Sequence, residues 1–252
     1  MERNSGRHEG GSLDSHRDWH RGWTRRLASA LDSLLLWRLP TPEDAISFAR
    51  WSPDPLGSWC VQCGAATHMP TIGADGACAE CRGQRFAYQS VTRLGSYRDP
   101  LDLWVRLVKS NAWKLMAHEL GARLAARAPP LDMIVPVPMH PLRREMRGID
   151  HAFEIADALS HALHVPLCRA LSQCLARRQM GTSRTKRLLN AQRFRVNRCT
   201  RHVVGLRVGL VDDVRTTGST LQSAAALLRE AGAMRVDALI VAVRDSIEPS
   251  VD

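Results

Sequence analysis

The chain has 252 residues, of which 44% are hydrophobic, and a formal net charge of +10 at pH 7. This length accommodates one sizeable domain and a small one, and the composition is ordinary for a globular protein. No apolar run approaches the length of a membrane span and no apolar signal-peptide segment is present, so we expect a cytoplasmic protein without a membrane span. The charge favours polyanionic partners such as nucleic acid or pyrophosphate-bearing ligands, although solubility alone also explains it.

The N-terminal part of the chain is predicted to hold a tail, a helix and a linker. Residues 1–22 are rich in His, Arg, Gly and Ser, which is typical of a disordered tail. Apolar residues from Leu27 to Leu39 recur at near-helical spacing and predict an amphipathic helix. Pro40 and Pro42 end this helix, and the chain that follows is interpreted as a linker, so that helix and linker together occupy residues 23–55.

Four of the seven cysteines form two C-x-x-C pairs that are separated by fourteen residues. Four thiolates at this spacing can surround one Zn²⁺ tetrahedrally. Disulfides are the alternative, but a reducing cytosol disfavours them. We therefore predict a structural zinc module over residues 56–88, with no coordination position left for catalysis. Its predicted ligands are Cys60, Cys63, Cys78 and Cys81.

From Val91 onward the pattern is that of an α/β protein, in which apolar strands alternate with amphipathic helices. The basic segment Ser172–Arg201 is only weakly periodic and is interpreted as a long loop with short helical pieces. The last strand, helix and strand predict a right-handed βαβ unit, and hence a parallel sheet, in a domain over residues 89–246 followed by a tail over 247–252. The predicted strands are Leu131–Val137, Leu206–Val211 and Ala238–Val243, and the predicted helices are Asn111–Ala128, His151–Leu163 and Thr220–Ala231.

Two adjacent carboxylates follow the strand Leu206–Val211. Asp212 and Asp213 come at the carboxyl end of that strand, where open α/β sheets place their ligands. Side by side, the two acids can accept hydrogen bonds from vicinal sugar hydroxyls, or help to hold a divalent cation.

A turn of small residues connects these acids to the next predicted helix. It offers hydroxyl donors, a glycine free to adopt positive φ, and unpaired backbone N–H groups at a helix N-terminus, all of which suit a phosphate. A threonine-rich helix cap beside solvated acids is the alternative. The register of strand, acids and helix favours a phosphorylated-sugar site. The candidate ligands in the turn are Thr216, Thr217, Gly218, Ser219 and Thr220.

A second run, Ile134–Gly148, leaves its strand through three prolines and then presents clustered arginines. Arg143, Arg144 and Arg147 could hold multivalent phosphate through paired N–H donors. From these residues alone, a basic helix start, a nucleic-acid patch and a phosphate site are equally well supported.

The segment Val211-Asp-Asp-Val-Arg-Thr-Thr-Gly-Ser-Thr220 resembles the 5-phosphoribosyl pyrophosphate (PRPP) signature of the type I phosphoribosyltransferases. Within that superfamily, residues from about Leu94 to Arg244 are similar to the ComF family, whose members are associated with competence and DNA uptake. The four-cysteine pattern also recurs in that family. The proline and arginine segment matches it at Pro136, Pro138, His140, Arg144, Arg147 and Gly148.

This chain departs from the ComF-like pattern directly after Gly148. The family usually continues with an aromatic residue, Asn and Gln, whereas this chain has Ile149, Asp150 and His151. Asp150 therefore brings a negative charge near the pyrophosphate pocket that the resemblance implies.

The resemblance implies a type I phosphoribosyltransferase-like parallel sheet with flanking helices, preceded by the zinc module. It also implies PRPP or a related sugar phosphate as ligand, with Mg²⁺. Asp212 and Asp213 would hold the ribose as catalytic residues, the Thr216–Thr220 turn the phosphate, and the three arginines the pyrophosphate, joined by Lys109. A loop that closes over PRPP is implied by the match of Gln179, Arg187, Asn190 and Phe194.

If the chain is a transferase, a nucleophile displaces pyrophosphate at the anomeric carbon of PRPP. Thr216 stands where hypoxanthine-type relatives carry an aspartate that assists the base, so purine-base salvage is disfavoured, and no residue identifies another acceptor. The competing hypothesis is a non-catalytic protein that uses the fold as a scaffold to bind single-stranded DNA or DNA-uptake proteins. The +10 charge, the basic segment Arg177–Arg201 and the zinc module support it.

Overall fold

The computed structural model describes residues 40–67, 76–173 and 194–245. The chain divides into two compact units, Met1–Thr41 and Pro42–Asp252, and every element below belongs to the second. The predicted tails and the predicted helix at Leu27–Leu39 lie outside the described residues. Among the helices of the described part, none is both long and apolar enough to cross a membrane. The domain boundaries given above stay a prediction.

The core of the second unit is a sheet of four parallel strands with helices packed against it, as predicted. In chain order these strands are β1 (Ser90–Ser96), β2 (Met133–Pro136), β5 (Arg207–Arg215) and β6 (Arg235–Val243). Their order across the sheet is β1–β6–β5–β2. The central strands are buried along most of their length, which explains their nearly continuous apolar sequences.

The described helices agree with the sequence pattern in three cases and add three that it did not predict. The predicted helices are found with small shifts at their ends, while the additional ones are short or end in polar residues. A separate antiparallel pair consists of β3 (Leu171–Gln173) and β4 (Phe194–Val196), followed by a 3₁₀ helix at Arg198–Val203. The helices are α1 (Pro42–Phe48), α2 (Leu101–Lys109), α3 (Lys114–Ala125), α4 (Pro141–Arg147), α5 (His151–Leu163) and α6 (Ser219–Glu230).

Two interpretations of connecting segments need correction. The linker contains helix α1, which begins at Pro42 and carries Glu43 and Asp44 in its first turn, a sequence that suits a helix N-terminus. The segment interpreted as a long loop carries β3, β4 and the 3₁₀ helix at its described ends, and each is too short to give a periodic pattern.

Close packing of two helices fixes the position of α5 beside the sheet. Gly121 of α3 faces the backbone of α5, and a Cβ atom there would lie 2.5 Å from the carbonyl oxygen of Ile155. Only glycine allows this approach without displacing one of the helices. The first residue of α5, His151, is therefore held firmly relative to the core.

The four-cysteine module covers the outer edge of the sheet at β1. The Val91 N–H donates to the Val61 carbonyl at 2.7 Å, and the Trp59 indole N–H donates to the Val91 carbonyl at 2.9 Å. Further along the strand, the Asp54 N–H donates to the Leu94 carbonyl. The module thereby satisfies backbone groups that an open edge strand would expose.

A buried arginine joins this module to the sheet. Arg93 of β1 has a side chain only 1% exposed, and its guanidinium lies 2.6 Å from Asp54 Oδ2 and 3.2 Å from Asp245 Oδ1. It also lies over the Trp59 ring, at 5.9 Å from the centroid. One side chain therefore connects the segment before the module with the segment after β6.

Replacing Arg93 by Met is expected to lower the free energy of unfolding by about 3 kcal/mol, because it leaves two carboxylates without their buried partner. Denaturant-induced unfolding measures this change. The matched control is Arg106→Met, which breaks an exposed i,i+4 pair with Asp102 and should change stability by at most about 0.5 kcal/mol. Equal effects of the two substitutions would contradict the role given to Arg93.

Candidate functional site

The two acids lie within the C-terminal half of strand β5 rather than after the strand. The strand was predicted to end at Val211, but its pairing with β6 continues to Arg215, opposite Val243. Pairing with β2 stops earlier, where Pro136 lies opposite Val211 and the chain turns away through further prolines. Asp212 and Asp213 therefore border a notch on the β2 side, at the carboxyl ends of the strands.

Both acids are buried, and their environments differ. The Asp213 N–H donates to Asp212 Oδ1 at 2.9 Å, and the Val214 N–H donates to Asp213 Oδ1 at 2.7 Å. Burial, reinforced by the charge of Asp213, raises the pKa of Asp212 well above its ordinary value. Burial also raises the pKa of Asp213, but His151 and Lys109 lower this pKa by more than burial raises it. The net shift is therefore downward.

Two basic side chains contact the second carboxylate oxygen of Asp213. Lys109 Nζ lies 2.6 Å from Asp213 Oδ2, and His151 Nε2 lies 3.2 Å from the same atom. Lys109 is thus found against the sugar-binding acid that the sequence predicts, although its own predicted partner is pyrophosphate. Burial lowers the pKa of His151, and the charges of Lys109 and Arg147 add to this, against the opposing effect of Asp213.

The small-residue turn lies next to the acids and leads directly into α6. Gly218 has φ +77°, a backbone conformation that favours glycine, and a Cβ atom there would lie 2.9 Å from Nε of the Arg215 side chain. Thr216, Thr217 and Ser219 are exposed, and the Ser219 N–H donates to Thr217 Oγ1 at 3.4 Å. The side chains of these three residues are therefore exposed at the N-terminus of a twelve-residue helix.

The predicted arginine cluster forms the short helix α4. Arg143 and Arg144 are exposed, Arg147 is half-buried, and Gly148 ends the helix at φ +68°. The sequence favoured no single structure for these residues, because seven residues give too few turns for a periodic signal. Of the three arginines, Arg144 borders the cavity described next.

A cavity of about 660 Å³ lies between α4 and the β3–β4 pair. Pro136, Pro138, Arg169 and Asn197 are among the residues that line it. Asp150 also lines the cavity, where it caps α5 by accepting from the Phe153 N–H and lies 3.6 Å from Arg169. Its negative charge, noted above as a departure, is therefore compensated within the chain.

Sequence reasoning missed His151 and Arg169 as residues of this region. His151 was visible only as a departure from the ComF-like pattern, and nothing in its neighbourhood along the chain indicated contact with Asp213. Arg169 lies over the Phe153 ring at 3.7 Å from the centroid, an arrangement that no sequence spacing reveals. Three residues that matched the loop of the superfamily, Gln179, Arg187 and Asn190, lie outside the described residues, whereas Phe194 is buried in the core.

The four predicted cysteine ligands come together in a compact cluster. Their sulfur atoms all lie within 4.8 Å of one another, and Cys63 Sγ and Cys78 Sγ are 3.9 Å apart. Four sulfurs at the Zn–S bond length in a regular tetrahedron are about 3.8 Å apart, so the cluster could bind zinc with little rearrangement.

Further contacts favour a thiolate at Cys60. The N–H groups of Cys63 and Cys78 donate to Cys60 Sγ at 3.4 and 3.2 Å. The hydrogen bond between the thiols of Cys63 and Cys60, followed by backbone donors, lowers the pKa of Cys60 to about 4, while the same contact and burial raise that of Cys63. A bound cation would stabilise all four groups as thiolates.

Several curated proteins are similar to this chain, although no protein-family model matches it. The DNA utilization protein YhgH of Salmonella typhi is 31% identical over 71% of this chain and 81% of its own length. Competence protein F of Haemophilus influenzae is 30% identical over 62% of this chain and 73% of its own length. Competence protein ComFC of Bacillus subtilis is 34% identical over 100 residues, or 39% of its own length.

Two solved structures match part of this chain. The glutamine PRPP amidotransferase of B. subtilis matches 49% of this chain with a TM-score of 0.39 at 25% identity, and this chain spans 25% of its length. A purine phosphoribosyltransferase from Pyrococcus horikoshii matches 64% of this chain and 83% of its own, with a TM-score of 0.33 at 18% identity. The sequence relatives show that the chain belongs to the ComF/YhgH family of competence and DNA-utilization proteins.

Proposed function

We propose that this chain binds PRPP, together with Mg²⁺, at the carboxyl ends of β5 and β2 and acts in DNA uptake or utilization. The observation that carries the proposal is the continuity of the acid pair with the turn before α6. Asp212 and Asp213 border the notch, and the exposed hydroxyl side chains of Thr216–Ser219 follow within one short turn. A ribose hydroxyl pair and its 5-phosphate need these two kinds of partner side by side.

The other end of the ligand would lie toward α4. Arg144 borders the cavity beside Pro136, the strand residue opposite Val211. A pyrophosphate placed there would contact Arg144. Lys109 could also move to the pyrophosphate when a sugar takes its place at Asp213. Mg²⁺ would neutralise charge on the pyrophosphate. The names of the curated relatives support the assignment of the biological process.

A phosphoribosyl transfer at this site would develop positive charge on the ribose and negative charge on the leaving pyrophosphate. The arginines of α4 would stabilise the leaving group, and the acid pair would hold the ribose in place. Among the described residues we identify no side chain that defines an acceptor, and Thr216 carries no acid or base for a nucleobase. The proposal is therefore a binding site for PRPP, with pentosyl transfer as the reaction that it would serve.

A competition series tests the proposal. Ribose 5-phosphate and inorganic pyrophosphate should each displace labelled PRPP, more weakly than PRPP itself, because each occupies half of the site. Arg144→Gln should weaken pyrophosphate and PRPP by about tenfold and leave ribose 5-phosphate unchanged, since one charge-assisted contact is lost. Uniform weakening of all three ligands would contradict this division of the site.

Nucleic-acid binding is a second candidate function, favoured by the net charge of +10 and by the exposed arginines of α4. Fluorescence anisotropy with labelled single-stranded DNA tests it across a salt series. An electrostatic contact predicts affinity that falls steeply with salt and is lowered by Arg143→Gln with Arg144→Gln. Absence of binding at low salt would reject this function without affecting the PRPP proposal.

A further inference from the structure

Both carboxylate oxygens of Asp213 have contacts within the chain. Oδ1 accepts the Val214 N–H at 2.7 Å, while Oδ2 contacts Lys109 Nζ at 2.6 Å and His151 Nε2 at 3.2 Å. Because Oδ2 is buried, a sugar hydroxyl that binds this oxygen takes the place of one of its two contacts. Which partner leaves decides what fixes the carboxylate in the bound state.

The side chains of Lys109 and His151, which both contact Oδ2, differ in their freedom to move. Lys109 is the last residue of α2, and its side chain is 27% exposed on a flexible four-carbon stem. His151 is the first residue of α5, its side chain is 10% exposed, and its helix is clamped to α3 at Gly121. Lys109 can move without disturbing the core, whereas His151 cannot.

The hydrogen-bond pattern assigns the tautomer of His151. Its Nδ1 atom is buried and has no hydrogen-bond partner in the described part of the chain. A proton on Nδ1 would leave a buried donor unpaired and would direct the Nε2 lone pair at a carboxylate. In the neutral ring the proton therefore lies on Nε2, which faces Asp213 Oδ2 at 3.2 Å, within reach of a hydrogen bond but not aligned for one.

We propose that His151 is a positioning residue for sugar binding, because its Nε2–H holds the Asp213 carboxylate in place when Lys109 leaves it for the ligand. The inference rests on the proposed PRPP site and adds a residue to it. Lys109 is then the exchangeable partner and His151 the permanent one. The sugar hydroxyl takes the acceptor position that Lys109 vacates, without any loss of order in Asp213.

The test compares His151→Leu, which removes the donor, with His151→Gln, which restores an N–H donor at a similar reach. Calorimetry with ribose 5-phosphate should show about tenfold weaker binding for His151→Leu, the effect of one charge-assisted contact, and within about threefold of wild type for His151→Gln. Inorganic pyrophosphate should bind both variants as it binds wild type, because it does not contact Asp213. A purely structural role would not separate the two ligands in this way.

Two results would overturn the inference. Binding of ribose 5-phosphate by His151→Leu at wild-type affinity would do so, and so would equal weakening of ribose 5-phosphate and pyrophosphate. If His151→Leu fails to fold, His151→Asn replaces it, since the shorter amide does not reach Asp213. Failure of wild type to bind either PRPP or ribose 5-phosphate would reject the proposed function itself, and with it the positioning role.

Discussion

Replacement of Cys60 by serine is expected to abolish stoichiometric zinc binding and to lower the midpoint of thermal unfolding by roughly 10 °C or more. Structural zinc sites contribute on the order of 10 kcal/mol to the folding of small modules. For a protein of this size, each kcal/mol shifts the midpoint by about 2–4 °C. Cys60 is fully buried within the four-sulfur cluster, and serine cannot replace it because a neutral hydroxyl does not supply the thiolate that zinc binds. Metal analysis and calorimetry measure the two effects.

Cys199→Ser is the matched control for this substitution. Cys199 is exposed and lies outside the four-sulfur cluster, so the variant should keep one zinc ion per chain and the wild-type midpoint. The position of the module along β1 explains why the effect should extend to the whole unit. Val61 and Trp59 pair with Val91 at the sheet edge, so loss of the module also exposes backbone groups of β1. Zinc-free chains with unchanged stability would contradict this account.

Combined replacement of Asp212 and Asp213 by asparagine is expected to weaken PRPP binding at least about 100-fold. Each carboxylate that accepts a sugar hydroxyl makes a charge-assisted hydrogen bond, and two of these are lost together. Asp132→Asn is the control, because Asp132 pairs with Arg207 at the opposite end of β5, far along the strand from the notch. It should leave PRPP affinity unchanged.

For the single substitution Asp212→Asn we make a separate prediction, which concerns the stability of the folded protein. Because burial raises the pKa of Asp212 in the folded state, the carboxyl favours folding while it stays protonated, and this contribution is lost as pH rises through the folded-state pKa. Asparagine removes that loss, so the variant should be at least as stable as wild type at neutral pH. Thermal unfolding measured from about pH 4, near the ordinary pKa of an aspartic acid, up to about pH 8 gives the difference. A less stable variant throughout this range would contradict the shift.

Much of the candidate site could be predicted because its residues are contiguous in the sequence. The acids and the turn follow one another directly, so one strand and one helix start are enough to bring them together. The cluster of four cysteines could be predicted equally well, since two C-x-x-C pairs have few ways to fold around each other. In both cases the spacing of the residues along the chain determines which side chains come together.

The contacts around Asp213 could not be predicted in the same way. Lys109, His151 and Asp213 belong to α2, α5 and β5, and they meet only through the packing of helices on the sheet. That packing depends on details such as Gly121 against Ile155, which leave no periodic signal. The continuation of β5 beyond Val211 was missed for a related reason, because β6 supports the strand after β2 has turned away.

The central claim is that the notch beside Asp212 and Asp213 binds PRPP. Calorimetric titration of the zinc-replete chain with PRPP, in the presence and absence of Mg²⁺, tests it most directly. We predict saturable binding of one PRPP per chain that Mg²⁺ strengthens and that the double asparagine variant loses. Absence of binding in the presence of Mg²⁺, or equal binding by wild type and the double variant, would contradict the claim.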